Sequence, residues 1–365
     1  MRVVHLTSRH PAGDVRIFLK ESRSLARAGF DVHLVAPGAV EATRDGVAIH
    51  GFEPAAGMRP LRVARRLWRA WRAARSLAPD LCHFHEPELV PAALLLKLGG
   101  ARVVYDVHED ALSELRSAPN RGGGRRIGLR ALEALARRIC DGFVAATPSI
   151  AQLFPSERTI ELLNYPLPED LVDSSRSEDP GVDVVYVGLI TRIRGLREMV
   201  EAMSHVGASA ARLTLIGEFD PPELEHDASA LPGWDRVNYL GRLGRDEVRQ
   251  RLAASRAGLL VFHPVPNHTS ALPNKLFEYM AAGLPVIASD FPSWHGLLDP
   301  LGCARFVDPL DPSQIGSAID ELISDEERAN EMGGRGAAAV RERLNWQQEE
   351  PKLLELYRRL GLSAA

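Results

Sequence analysis

Residues 258–290 read GLLVFHPVPNHTSALPNKLFEYMAAGLPVIASD, and the alternation in this stretch decides the fold. The apolar run Gly258–Phe262 is typical of a buried strand, and a polar loop rich in proline follows it. Pro273 and Asn274 then open a helical pattern, which ends before a second apolar run at Pro285–Ala288. A strand, a helix and a strand in this order predict two parallel strands joined by a crossover helix.

The same alternation occupies the chain on both sides of one stretch that lacks it. Residues 164–182, NYPLPEDLVDSSRSEDPGV, are rich in proline, serine and acid, which is typical of a linker. We therefore predict an α/β protein with two Rossmann-like, doubly wound parallel-sheet domains that face each other across a cleft. The predicted ranges are 1–166 for the first domain, 167–181 for the linker and 182–347 for the second domain. Residues 348–365 pack on the second domain or cross back to the first, and periodicity leaves both open.

Composition and charge limit the class of protein. The chain has 365 residues, is 45% hydrophobic and 25% charged, and contains 30 Gly, 25 Pro and 3 Cys. These values exclude disordered, collagenous and disulfide-rich classes, and three isolated cysteines favour a reducing cytoplasm. The net charge of −4 argues against a nucleic-acid binder, although residues 1–170 carry +5 and residues 171–365 carry −9. No signal-peptide pattern and no membrane-spanning apolar run is visible, so we expect a cytoplasmic protein.

The helix that opens at Asn274 predicts an anion site. A helix start at the carboxyl end of a parallel strand offers free N–H groups and the positive end of the helix dipole, both suited to a diphosphate. Lys275 opposes that dipole, so a bound anion explains it better than helix stability does. Glu278, one turn later, is placed to accept hydrogen bonds from a ribose diol. The plain alternative is a surface Lys and a Glu that favours the dipole, and this segment alone leaves both open.

Ordered motifs extend the analysis to nearly the whole chain. The run PNKLFEYMAAGLPVIASDFP at 273–292 resembles the nucleotide-sugar motif of family-4 retaining glycosyltransferases, which have the two-domain GT-B fold. Four further stretches resemble that family in the same order: HPAGDVRIFLKESRSLARAGFDVHLVAP at 10–37, VVYDVHED at 103–110, VVYVGLITRIRG at 184–195 and GCARFVDPLDP at 302–312. The resemblance implies transfer of a sugar from a nucleotide-diphosphate-sugar donor of the UDP type to a hydroxyl or amine acceptor. It also implies retention, with no metal and no cofactor besides the donor.

The resemblance also implies which residues hold the donor. Glu278 matches the family acid that binds the ribose, but Ser270 stands where a first acid is expected. The family Arg after Gly188 is missing, while Arg194 occupies the position of the family Lys and Arg192 lies two residues earlier. The implied donor-binding residues are Gly188, Arg192, Arg194, Gly217, Ser270, Asn274, Lys275, Leu276 and Glu278. An exposed basic loop remains the alternative for the two arginines.

In the first domain the resemblance makes His108 a contact to the transferred sugar. Together with Arg194, Lys275 and Glu278 it completes the implied catalytic set. The implied acceptor side consists of Gly13, Asp14, His85 and Glu109. Helix capping alone would explain Asp14, and a histidine after a strand is often a structural hydrogen-bonding group.

Residues 59–75, RPLRVARRLWRAWRAAR, contain seven arginines and no acid. At helical spacing one face is basic, while Leu61, Ala64, Leu67, Trp68 and Trp71 form the other face. Two interpretations stay open: a surface helix docked on the sheet by its Trp side, or peripheral contact with an anionic membrane at the inner face. Two alternative functions also stay open, namely a non-catalytic nucleotide-sugar-binding protein and a GT-B epimerase or hydrolase. The sequence does not decide the oligomeric state.

Overall fold

The structure is a computed structural model that describes residues 1–53, 59–108, 123–167, 181–269 and 271–363. It consists of two compact units. The first comprises Met1–Asn164 and Trp346–Ala365, and the second comprises Tyr165–Asn345. Most of the predicted linker at 167–181 lies outside the described residues. The carboxyl-terminal segment, which the sequence left unassigned, belongs to the first unit.

The first unit is built on an eight-stranded sheet. Its strands are β1 (Arg2–Leu6), β2 (Asp31–Pro37), β3 (Ala42–Arg44), β4 (Val47–Phe52), β5 (Leu81–Phe84), β6 (Arg102–Val107), β7 (Gly142–Ala145) and β8 (Thr159–Glu161). They lie in the order β3-β4-β2-β1-β5-β6-β7-β8, and only the β3–β4 pair is antiparallel among the described strands. The direction of winding reverses between β1 and β5. The loops that follow these two strands therefore meet at the topological switch point, where ligands of such sheets bind.

Helices cover both faces of the first sheet, so β5 and β7 are buried at every position. They are a π-helical segment Val15–Ser22 that continues as an α-helix at Arg23–Arg27, and α-helices Arg59–Ser76, Val90–Leu98, Gly123–Ile139, Pro148–Ala151 and Trp346–Arg359. Short 3-10 turns lie at Pro87–Leu89 and Ser156–Arg158. No helix in the described ranges is long and apolar enough to cross a membrane.

The second unit is built on a six-stranded sheet with the strand order of dinucleotide-binding folds. Its strands are β9 (Val184–Val187), β10 (Leu213–Ile216), β11 (Val237–Tyr239), β12 (Ala257–Leu260), β13 (Val286–Ser289) and β14 (Ala304–Val307). They lie in the order β11-β10-β9-β12-β13-β14, and each described pairing is parallel. The switch point lies between β9 and β12. The prediction of two Rossmann-like parallel-sheet domains is confirmed.

The helices of the second unit follow the predicted alternation closely. They are Leu196–Ala202, Leu224–Ser229, Arg245–Ala253, Pro266–Thr269, Asn274–Ala281, Pro292–Leu298, Pro312–Ser324 and Glu326–Glu342, with 3-10 turns at Arg192–Arg194, Trp234–Arg236 and Asp299–Leu301. The helix opened by Pro273 starts at Asn274, as the sequence predicts. It buries Phe277, Tyr279 and Met280 against the sheet, which fixes the position of its first turn.

Candidate active site

A lysine lies at the switch point of the second unit. Strand β9 ends at Val187, and Gly188 follows with a φ of 122°, a conformation that glycine adopts without strain. A Cβ atom at Gly188 would collide with Nζ and Cε of Lys275, so the lysine amine lies against the Gly188 backbone. The same amine lies 5.6 Å from the centroid of the Tyr186 ring. The helix that starts at Asn274 thus places its Lys at the end of β9.

The Lys275 amine is a desolvated cation. Burial, together with the nearby charge of Arg194, lowers the pKa of Lys275 to about 8, although Glu278 acts in the opposite direction. Within the part of the chain that the structure describes, no hydrogen bond or ion pair to the Lys275 amine is formed. A buried cation without a hydrogen-bonding anion is costly, and an anionic ligand would remove that cost.

The two predicted arginines differ in their surroundings. Arg194 donates from Nη1 to the Leu189 carbonyl over 3.2 Å, and its guanidinium lies 5.8 Å from the centroid of the Phe262 ring. Arg192 instead donates from Nη2 to Asp227 over 2.6 Å, in an exposed ion pair. Arg194 therefore adds to the positive potential at Lys275, whereas the charge of Arg192 is already balanced by Asp227.

The remaining predicted donor residues have mixed outcomes. Asn274 and Glu278 are exposed on the first turns of their helix. Leu276 has its side chain buried in the core, and its N–H donates to the Pro273 carbonyl, so its contact with the donor stays a prediction. Gly217 is required for packing, since a Cβ atom there would collide with the Gly188 carbonyl. Ser270 lies outside the described residues.

In the first unit, His108 is held by a buried carboxylate. Its Nε2 lies 2.7 Å from Oδ2 of Asp106, the penultimate residue of β6. Asp106 also accepts two hydrogen bonds from Arg16, at 2.9 and 2.8 Å, and one from His85 Nδ1 at 3.1 Å. Burial opposes ionisation of Asp106, but Arg16 and His108 outweigh it and hold its pKa well below the usual range. An ionised Asp106 fixes the orientation and the tautomer of His108.

The role predicted for His85 needs correction. It is only 3% exposed, and its ring is bonded to His5 on one side and to Asp106 on the other. Burial lowers its pKa and keeps the imidazole neutral. His85 has almost no surface for an acceptor, and its bond to Asp106 links it instead to the carboxylate that holds His108. Glu109 lies outside the described residues.

The first loop combines a cap with an open glycine. Asp14 accepts hydrogen bonds from the N–H groups of Arg16 and Ile17, both at 2.9 Å, and pairs with His10 at 3.2 Å. Burial would raise its pKa, but the bonds from His10 and Ile17 lower it to about 2. At Gly13 a Cβ atom would meet nothing within 4 Å in the described structure. Neither packing nor a positive φ requires glycine at this position. The close approach of a ligand to Gly13 therefore stays a prediction.

Sequence reasoning did not single out the buried ion pair of Arg16 and Asp106 that organises this site. Glu86 follows β5 and accepts hydrogen bonds from the Thr7 hydroxyl and from the N–H groups of Ser8 and Arg9. The Glu86 carboxylate thereby holds the loop after β1 against the loop after β5, at the switch point. Arg16 and Asp106 are 90 residues apart in sequence, so only their pairing in three dimensions shows that they form one unit. Arg16 and Asp106 lie within the stretches 10–37 and 103–110, which resemble the family, and that resemblance is the sequence signal that could have identified them.

The basic helix Arg59–Ser76 packs with a face that differs from the predicted one. Ala70 and Ala74 are buried, and Leu67 and Trp71 pack beside them against the core of the first unit. Trp68 was expected on the docked side, but it is 53% exposed and lies among the arginines. The small alanine side chains allow close approach to the sheet, and this rotates Trp68 outward. Leu61, 51% exposed, lies on the same outer stripe.

Comparisons with known proteins agree with this architecture. The model of the family described as "Glycosyltransferase Family 4" matches residues 13–159, and that of "Glycosyl transferases group 1" matches residues 181–325. The phosphatidyl-myo-inositol mannosyltransferase of Mycobacterium leprae (strain TN) is 22% identical over 297 residues, which cover 78% of this chain and 75% of that protein.

Solved structures show the same fold. Sucrose-phosphate synthase from Thermosynechococcus elongatus has a TM-score of 0.77 and 18% identity over 99% of both chains. Anabaena HepE, solved in complex with UDP and glucose, has a TM-score of 0.74 and 15% identity, covering 98% of this chain and all of that chain. The chain belongs to the family-4 glycosyltransferases of the GT-B fold, enzymes that transfer a sugar from a nucleotide-sugar donor.

Proposed function

We propose that the second unit holds the diphosphate of a UDP-type sugar donor through Lys275 and Arg194, without a divalent metal. The observation that carries this proposal is the desolvated Lys275 amine against the Gly188 backbone at the end of β9. Two fixed cations and the start of the Asn274–Ala281 helix supply the positive potential that a divalent ion would otherwise provide. HepE, whose fold this chain shares, was solved with UDP and glucose, which supports the choice of base.

Two further donor contacts follow from the family resemblance. Glu278 binds the ribose hydroxyls, and its exposed position on the helix supports that role. Arg192 approaches the phosphates only after its ion pair with Asp227 opens, so we expect it to contribute less than Arg194. Ser270 replaces a family acid, and we propose that it contacts the sugar hydroxyls of the donor.

We propose that the first unit binds a hydroxyl or amine acceptor, such as a lipid-linked saccharide or a small natural product. Asp106 and Arg16 orient His108, which contacts the transferred sugar, and the open backbone at Gly13 admits a ligand. During transfer the bond from the anomeric carbon to the phosphate oxygen breaks, and a bond to the acceptor oxygen or nitrogen forms. The acceptor proton passes to the leaving diphosphate, and both groups use the same face of the sugar, which gives retention.

We also propose that the outer stripe of the helix Arg59–Ser76 rests on anionic lipid. Leu61 and Trp68 are half exposed, and Arg72 lies 5.4 Å from the ring centroid of Trp68. Arg62 and Arg65 are exposed on the same side. A tryptophan surrounded by arginines suits the interface between headgroups and acyl chains. The enzyme would then act as a peripheral protein at the cytoplasmic membrane face.

Product analysis tests the proposed reaction. The enzyme is incubated with a panel of UDP-sugars and soluble hydroxyl or amine acceptors in excess EDTA, and proton NMR gives the anomeric configuration of the product. We expect transfer with the configuration of the donor and no loss of rate in EDTA. An inverted linkage, or activity that returns only with Mg²⁺ or Mn²⁺, would contradict the proposal. Free sugar or an epimer would favour the hydrolase or epimerase alternative, and donor binding without turnover would favour the binding protein.

A further inference from the structure

A second group of polar side chains lies deep in the first unit, away from its surface. We call His5, Glu21 and His83 the buried triad. All three are 0% exposed. His5 on β1 and His83 on β5 are paired across the parallel sheet, and their ring centroids are 4.8 Å apart. Glu21 reaches them from the π-helical segment Val15–Ser22. Each residue offers a nitrogen or oxygen atom within 4.8 Å of those of the other two.

Four polar atoms of the buried triad have no hydrogen-bond partner in the described structure: His5 Nε2, His83 Nε2 and both carboxylate oxygens of Glu21. Buried polar atoms in native proteins are nearly always paired, and each one left unpaired is destabilising. Unpaired polar atoms on three neighbouring side chains therefore indicate a bound ion or molecule that contacts all three.

The hydrogen bonds around the buried triad bear on which of its nitrogen atoms carry a lone pair. The ionised Asp106 accepts from His85 Nδ1, which leaves His85 Nε2 as an acceptor for the Nδ1–H of His5, 3.1 Å away. His5 Nε2 must then carry a lone pair. His83 Nδ1 lies 2.9 Å from the Tyr357 hydroxyl, and the tautomer in which Nδ1–H donates to that oxygen has a lone pair on His83 Nε2 as well.

Glu21 and Asp106 are two buried carboxyl groups that share one cation. Arg16 is bonded to Asp106 and lies 3.1 Å from a Glu21 oxygen, so one guanidinium serves two buried carboxylates. One proton on Glu21 would neutralise the charge, but a single O–H can fill only one acceptor. A metal ion accepts lone pairs from all three side chains at once.

We propose that the buried triad binds a divalent transition-metal ion, with zinc as the first choice, through His5, His83 and Glu21. Two imidazoles and one carboxylate are a common zinc ligand set, and Tyr357 and His85 bond the outer nitrogens as groups around metal-bound histidines commonly do. The neighbouring set His85, Asp106 and His108 is a poorer candidate, because Asp106 already accepts hydrogen bonds from Arg16 and from both histidines of that set. The ion joins β1, β5 and the π-helical segment, so its role is structural and separate from the donor diphosphate.

Metal analysis of the protein without a histidine tag tests this proposal. After purification in the absence of chelators, we expect about one equivalent of zinc per chain by mass spectrometry. Removal of the metal should lower Tm, and Zn²⁺ or Co²⁺ alone should restore it, with Co²⁺ giving the visible absorption bands of a tetrahedral site. Less than about a tenth of an equivalent, with no change in Tm on adding either metal, would overturn the proposal and assign the triad to a proton and a buried water.

Variants assign the metal to its ligands. Glu21→Gln preserves the shape of the side chain, and His83→Gln removes one nitrogen ligand; both should lose the bound metal. His33→Gln changes a histidine of the same unit that pairs with His50 on neighbouring strands, and it should retain the metal. His108→Gln should retain it too. Metal that stays in both triad variants, or leaves only with His108→Gln, would contradict the assignment. If His83→Gln does not fold, Glu21→Gln and the cobalt spectrum still decide.

Discussion

Lys275 has the properties of an anion receptor that is formed before its ligand binds. Its amine is desolvated, is not neutralised by a hydrogen-bonded carboxylate in the described structure, and is held against a glycine that leaves it room. A surface lysine would have none of these features. Desolvation of the Lys275 amine costs free energy in the free protein. A bound diphosphate would offset that cost, so the site should bind anions selectively.

Donor affinity should depend on pH through Lys275. Its pKa is lowered to about 8 in the free protein, and a bound diphosphate raises it. Binding therefore favours the protonated amine, so affinity is full below that pKa and falls as pH rises through it. We expect UDP-glucose to bind about tenfold more weakly at about pH 9 than at about pH 7 in calorimetry. Lys275→Met should bind weakly at both pH values; an equally steep profile in that variant would place the titrating group elsewhere.

At the residue scale the sequence pointed to the proposed donor residues more directly than to the residues that organise the first unit. Lys275 and Glu278 were visible because the helix that carries them follows a strand within one continuous segment. Asp106 was not singled out, because its importance comes from Arg16 and His85, which lie far from it in sequence. His85 was expected to meet the acceptor, but burial is decided by packing that a local pattern does not contain.

The end of strand β9 sets how close Lys275 comes to the bound phosphates. Gly188→Ala would add a Cβ atom where the Lys275 amine lies, so we expect a loss of donor affinity of about tenfold or more. Gly241→Ala is the matched control, because Gly241 also has a positive φ of 66° but its Cβ would meet nothing within 4 Å in the described residues. Both variants should lose about 1–2 kcal/mol of unfolding free energy in urea titrations. Equal donor affinities for the two variants would refute the proposed contact.

The outer stripe of the helix Arg59–Ser76 predicts membrane binding that can be measured. Trp68→Ser should reduce co-sedimentation with vesicles containing phosphatidylglycerol by several-fold at low salt. The substitution removes the largest exposed apolar side chain of this outer stripe. Leu98→Ser is the control, since Leu98 is 76% exposed on another helix of the same unit. Binding to neutral vesicles that equals binding to anionic ones, or an equal loss in both variants, would contradict the proposal.

Element boundaries were largely predictable, but helix faces were not. Proline and glycine positions located the helix Asn274–Ala281 and the strands on either side of it to within a few residues. Periodicity alone placed Trp68 on the docked face of its helix, because large apolar groups were given more weight than alanine. The fold buries Ala70 and Ala74 instead, since a close approach to the sheet needs small side chains. The antiparallel β3–β4 pair was missed because β3 has only three residues, all of them exposed.

For the whole molecule, the separation of charge takes on a specific meaning. Residues 1–170 carry +5 and residues 171–365 carry −9, yet the anionic donor is assigned to the acidic half. A few local cations decide that assignment, whereas the excess of arginine in the first half lies largely on the helix Arg59–Ser76. Total charge therefore predicted that the units have different ligands, and the proposed donor and acceptor sites assign one ligand to each unit.

The central claim is that Lys275 holds a nucleotide diphosphate without a metal, and a thermal-shift titration with UDP in excess EDTA tests it most directly. A ligand that binds only the native state raises Tm with its concentration. We predict a dose-dependent rise in Tm for the native enzyme and for the control Lys352→Met. For Lys275→Met we predict a rise only at UDP concentrations about ten to a hundred times higher, as expected for a lost charge-assisted hydrogen bond. An unchanged response in Lys275→Met, or a response of the native enzyme only when Mg²⁺ replaces EDTA, would contradict the account.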